Sequence, residues 1–339
     1  MLRGAALGAA VPLLTTPATA SAIPNPTVSN PATPKSSTPD SPAPESPAPT
    51  ARRATRAGSV SLRWLGTSGW RIDTGGRTVL FDPYLTRFHT GLFEDAFNPR
   101  TGLTTDPDLV HAHIGNPELV LVSHSHWDHL ADVPYIAKST GARVLGTETT
   151  FHLLVASGVE PGQISVVKGG EVLDFGGIVV EVAASLHSRN KKHSYFAPGT
   201  LTAPPSMAPS TISDLPEGDT LAFQVTIGDD GPSVFLMGAS DFSERSVRGL
   251  RPDIAMIAVP AGTATHRYVP RLLPALDLPD VVVPVHWDNF EKPLAEPPRR
   301  DPSMDLDAFV AQVRRVSPTS RVVVPDFRTT YAGDMRPRS

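Results

Sequence analysis

One short stretch holds most of the chain's chemistry: residues 119–130, LVLVSHSHWDHL. Four apolar residues lead into His124, His126, Asp128 and His129. Imidazole and carboxylate are the donors that suit zinc and similar divalent ions. Three histidines and an aspartate within six residues have little structural use at the end of a strand. Strand ends open into loops, where function is usually placed. Four ligands in one loop cannot surround two metals alone, so others must arrive from elsewhere. Three residues stand in matching contexts, each just after an apolar run: His187 after 178–183, Asp241 after 233–237 and His286 after 281–285. Asp82 ends another such run, before Pro83. His266 follows the run 254–259 and is expected on the same rim, beside the ligands or the substrate.

The elements that must carry these residues read as follows. Runs 60–65, 70–73 and 77–81 are short, β-rich and separated by glycine turns, as in a β-meander. Residues 130–140 and 147–157 read as helices, with Pro134 tolerable only in a first turn. Strands are expected at 164–167, 171–175 and 178–183, and a hairpin at 221–227 and 233–237. Apolar strands at 254–259 and 281–285 flank a helix at 268–276. An amphipathic helix at 305–316 and a strand at 321–324 close the pattern. Strands followed by helices, in two batches, predict an α/β domain of four αββα layers, two mixed sheets facing each other with helices outside.

Composition supports one folded domain over about 59–339. The chain has 339 residues, 40% apolar and 19% charged, which is globular and rules out wholesale disorder. Its net charge of −4 gives no sign of a general nucleic-acid binder. The absence of cysteine excludes disulfide scaffolds, cysteine–zinc sites, iron–sulfur clusters and cysteine nucleophiles. Residues 4–14 form a short apolar run behind Arg3, and Ala-x-Ala patterns follow at 18–20 and 20–22. Residues 1–22 therefore read as a secretory signal peptide, too short to span a bilayer. The expected location is secreted or cell-envelope, with no stable membrane insertion. Residues 23–58 are rich in proline, serine, threonine and alanine, with nine prolines before residue 51. They have too few large apolar side chains to offset the entropy of ordering, so a disordered, extended linker is expected.

With these residues in place, the sequence resembles the metallo-β-lactamase superfamily over nearly all of 60–326. The resemblance rests on His124–His129, Asp82, His187, Asp241 and His286. It looks closest to the branch of ascorbate-6-phosphate lactonase and N-acyl-phosphatidylethanolamine phospholipase D type enzymes. The segments LRWLGTSGWRIDTGGRTVLFDPYL, His187-Ser188-Arg189 and His286-Trp287-Asp288-Asn289-Phe290 are similar to that branch. The bridging aspartate of the superfamily usually sits in a Gly-Asp-Thr-like turn; here the chain reads Ala239-Ser240-Asp241-Phe242. The resemblance implies one metal held by His124, His126 and His187, and a second by Asp128, His129 and His286. Asp241 and a hydroxide would bridge them, and Asp82 would orient a ligand histidine. Two divalent ions are implied, zinc first, with manganese or iron as alternatives.

Such a centre implies hydrolysis of an ester-like bond, phosphodiester or lactone, with no serine or cysteine nucleophile needed. Asp128 or a metal-bound water would handle the leaving-group proton. The long run 189–219 starts beside His187, where it could form a lid; the sequence does not decide this. Its Arg189, Lys191 and Lys192 would bring positive charge to the mouth for a small anionic ester or lactone. An iron-dependent oxidoreductase is the second reading. The diiron type carries H-x-E-x-D-H, whereas His126 stands at its glutamate and no flavin domain follows. A non-catalytic metal-binding relative is the third, and the full set of candidate ligands speaks against it.

Overall fold

The computed structural model describes residues 60–229, 231–260 and 264–338. The signal-peptide and linker expectations (1–22 and 23–58) lie outside the described residues.

Three strands open the fold: β1 (Val60–Gly66), β2 (Gly69–Thr74) and β3 (Arg77–Phe81). Helix α1 (Pro107–Ile114) follows a long segment and leads to β4 (Pro117–Leu121). The short α2 (Trp127–Leu130) and α3 (Val133–Thr140) precede β5 (Arg143–Gly146); α4 (Glu148–Ala156) precedes β6 (Ile164–Val166). Then come β7 (Val172–Asp174), β8 (Ile178–Leu186), β9 (Thr220–Ile227), β10 (Ser233–Met237) and β11 (Asp241–Phe242). The chain ends through α5 (Glu244–Val247), β12 (Ile254–Ala258), α6 (Tyr268–Ala275), β13 (Val281–Val285), α7 (Leu306–Val316), β14 (Arg321–Val322) and β15 (Thr330–Ala332).

These strands form two mixed sheets. One runs β15-β1-β2-β3-β4-β5-β6; the other runs β11-β8-β9-β10-β12-β13-β14, with β7 beside β8. This is the expected α/β arrangement of two sheets with helices. Fully buried β12 and β13 pair in parallel, as near-continuous apolar strands do when both faces are covered. Phe81 of the first sheet meets Phe223 of the second, ring centroids 6.2 Å apart.

The sequence reading missed α1, which lies inside a segment without a visible pattern. Its signals are local ones: Asp106 accepts from the Leu109 amide as N-cap, and Pro107 starts the helix. Pro134 does sit in the first turn of α3. No helix among the described residues is long and apolar enough to cross a membrane.

Candidate metal centre

The segment after β4 enters the space where the two sheets open. Ser123, His124, His126, Asp128 and His129 are all buried there. β8 delivers His187 and β13 delivers His286. Two triads result: His124, His126 and His187, then Asp128, His129 and His286. Within each, one ligand-type atom per residue lies within 4.8 Å of the others. The triads touch, with the His124 and His129 rings 3.9 Å apart.

Hydrogen bonding fixes which ring nitrogens carry protons. Ser123 donates from N and Oγ to the Asp82 carboxylate, at 2.7 and 2.6 Å. Its Oγ then accepts from His124 Nδ1 at 3.0 Å, which leaves the buried His124 Nε2 without a partner. His129 Nδ1 donates to Asp82 Oδ2 at 2.8 Å, and His187 Nδ1 to the Ser188 carbonyl at 2.8 Å. His126 Nε2 faces the Ala197 carbonyl at 3.4 Å. For His124, His126 and His187 the other nitrogen is left with a lone pair towards the cluster, the tautomer a metal ligand needs. Asp128 Oδ2 lies 3.2 Å from His286 Nε2 and 3.5 Å from His129 Nε2. This donor set, with an orphaned imidazole nitrogen at its centre, fits divalent cations.

The charges agree with that chemistry. Burial holds His126 down at about 4 and His187 at about 3. Burial, with the neighbouring histidines, holds His124 well below its ordinary value. These rings are neutral donors at pH 7. Burial opposes charge on His129 too, but Asp128 and Asp82 outweigh it and hold the ring up at about 10. Burial likewise works against the Asp128 carboxylate, yet His129 and His286 keep it well below the usual carboxylate range.

Asp82 and His286 adopt left-handed backbone, with φ of 41° and 58°, uncommon for residues other than glycine. Surrounding bonds hold the second of these. The His286 amide donates to the Thr67 carbonyl at 2.7 Å, and the Thr67 amide to Asp288 Oδ1 at 3.0 Å. Asp288 Oδ2 meets the buried Arg87 guanidinium at 2.7 Å.

Several expectations need correction. Asp241 is not brought to the cluster. The chain leaving β10 presents Gly238, Ala239 and Ser240 to the cavity. By Asp241 it has turned into β11 and pairs with Leu186, and the carboxylate accepts from its neighbour's Phe242 amide at 2.8 Å. Gly238 itself leaves no room: a Cβ there would lie 2.6 Å from Asp82 Oδ2 and 2.7 Å from Ser123 Oγ. His266 is exposed and outside the cavity wall, with its carbonyl accepting from Arg271. Of the three basic residues, only Arg189 lines the cavity, its guanidinium 5.0 Å from the centre of the Tyr195 ring. Lys191 and Lys192 are exposed, and Lys191 borders a separate cleft with Pro260 and Arg267.

Nor is 189–219 a free lid. The Leu103 amide donates to the Ser210 carbonyl at 2.8 Å, the Ile212 amide to Thr101 at 3.0 Å, and the Ser125 amide to Glu217 at 2.9 Å. The sequence reading also missed Ser123, Gly238, Tyr195 and Phe196. Tyr195 stacks on His187, centroids 4.5 Å apart, and its hydroxyl donates to Glu217 at 3.0 Å. Ser123 had one signal, its place inside the ligand segment; the aromatic pair had none.

A family model described as a beta-lactamase superfamily domain matches residues 61–286. The chain belongs to the beta-lactamase superfamily. The match covers every element that carries a member of the two triads. Among curated relatives of this superfamily member, a metal-dependent hydrolase of Polynucleobacter asymbioticus is 27% identical over 247 residues, 71% of this chain and 78% of that protein. One from Pyrobaculum arsenaticum is 26% identical over 261 residues, 76% and 93% of the two chains. Among solved structures, a metallo hydrolase from the archaeon Ignicoccus hospitalis superposes with a TM-score of 0.51 at 20% identity, covering 78% of this chain and 94% of its own. A possible metal-dependent hydrolase from Veillonella parvula gives 0.52 at 16% identity, covering 81% and 99%. These two show the fold.

Proposed function

We propose that this metal-dependent hydrolase holds two divalent cations, zinc before manganese or iron, and cleaves an ester-like bond in a small molecule, a phosphodiester or a lactone. The observation that carries the reading is the pair of buried triads, each with ligand atoms within 4.8 Å. His124, His126 and His187 would hold one cation, and Asp128, His129 and His286 the other. Bound there, divalent cations supply Lewis acidity and a water acidified towards neutral pH. The chain's own residues do the rest. Asp82 and Ser123 hold two ligand rings in one tautomer and orientation. Asp128, kept ionised, is placed to accept a proton at Oδ2.

Metal analysis of the purified protein, with a screen of phosphodiesters and lactones, tests this reading. We expect up to two equivalents of metal and turnover that chelation abolishes. A replete protein that binds no divalent ion would end it.

We also infer export, from the apolar run at 4–14 and the small-residue pattern behind it. Fractionation of the producing cell tests this: recovery solely from the cytoplasm, with an intact N-terminus, would refute it.

A further inference from the structure

The cavity over the triads has a volume of about 660 Å³. That is ample for a drug-sized ligand. Its wall is aromatic on one side, and the rings run without a break from one triad to the other. Phe196 lies 5.9 Å from the His126 ring and 5.3 Å from Trp127; Phe97 lies 5.2 Å from Phe196 and 6.1 Å from Trp127. Trp127 continues to Phe290 at 6.5 Å, and Phe290 ends against His286 at 5.3 Å. Phe93 packs edge-on to Phe290 at 4.8 Å, and Met304 also lines the cavity.

Phe93 and Phe97 come from one loop and Phe196 from another far along the chain, and all three are only half-buried. Half-buried rings facing a cavity gain by covering their remaining apolar surface, and edge-to-face geometry suits a further flat ring. Charge does not compete for the role. Among the described residues Arg189 is the single Lys or Arg on the wall, and it lies against Tyr195.

We propose that this wall is a specificity subsite for a flat apolar group, and that the substrate is an ester or lactone carrying a phenyl-sized substituent next to the scissile bond. The proposal rests on the hydrolytic reading of the same site. It adds that recognition is aromatic rather than ionic.

The test uses the metal-loaded full chain and two probes that differ by one ring, benzylphosphonate and methylphosphonate, compared by calorimetry. We expect benzylphosphonate to bind at least about tenfold more tightly, the scale of burying one ring on such a wall. In Phe196→Ala the preference should fall to within about threefold. Phe97→Leu, which keeps an apolar side chain and removes the ring, should reduce it in the same direction, and metal content reports whether either variant is intact. Equal binding of the two probes, or no binding of either, overturns the proposal, as does a preference that survives both substitutions. Hydrolysis of ethyl phenylacetate against ethyl acetate separates the two readings. Aryl-selective binding without ester turnover removes the proposed reaction and leaves the subsite. Ester turnover without aryl preference in either assay removes the subsite and leaves the reaction.

Discussion

At the scale of single residues, the centre depends on protons being in set places. Asp82 is fully buried and binds Ser123 twice and His129 once. Asp82→Asn should leave the fold in place but weaken metal at the second triad about 10- to 100-fold, the usual cost of losing a group behind a ligand. Competition with a chromophoric chelator would measure it. His124→Ala removes a ligand outright and should abolish binding at the first triad. Asp241→Ala should keep full metal content, because its carboxylate faces its own backbone rather than the cluster. Loss of metal in Asp241→Ala would show that this side chain turns inward when the site fills. Gly238→Ala should be more damaging than its size suggests, since Asp82 and Ser123 cannot both retreat from a Cβ without releasing His129 or His124.

At the scale of elements, two buried acids hold the loops that carry the site. Arg87 and Asp288 form an ion pair with both side chains 1% exposed. Removing one partner of such a pair strands the other charge and costs about 3–5 kcal/mol. Arg87→Leu should therefore destabilise the protein to urea and, by loosening Thr67 and His286, weaken the second triad more than the first. Asp132 is the other. Its carboxylate accepts from the Leu85 and Thr86 amides at 2.6 and 2.9 Å, which pins the segment after β3. Burial raises its pKa despite these bonds. The folded state therefore holds this proton more tightly than the unfolded chain, whose value is about 3.9. The stabilisation is complete below that pH and is lost as pH rises through the folded value. Asp132→Asn cannot titrate, so the stability of the natural protein relative to this variant should fall as pH rises from about 4. Urea unfolding of both proteins across that range gives the answer, and a flat difference would refute the assignment.

At the scale of the whole molecule, the two ends of the described chain close one sheet. β1 pairs with β15, Ser61 opposite Ala332. Val60, Leu62 and Trp64 are buried beneath that edge, and Met335 joins the same core. A chain starting at Ser59 should keep its thermal midpoint and its metal content, since the described core begins at Val60. A chain ending at Val324 should not, because it uncovers β1. Thermal unfolding of the two truncations compares them directly.

The features legible in the sequence are local ones. The apolar run 119–122 and the four ligand types behind it lie on one continuous segment, so period and side-chain chemistry were enough to place them at a strand end. The hairpin at β9 and β10 and the helix α7 behind Asp305 were legible for the same reason, whereas the edge strands β11 and β15 were not. The rest follows from how distant segments pack. Asp241 and Ala239 stand two residues apart behind the same strand, and the close packing around Gly238, with no room for a side chain, determines which of them faces the cluster. Phe93 and Phe97 share one loop while Phe196 and Phe290 belong to two others, and they become one wall because these separate loops pack over the same opening. Hydrophobic period reports a residue's own strand or helix. It carries no record of which distant loop will meet it, since that is set by the closing of two sheets around a common core.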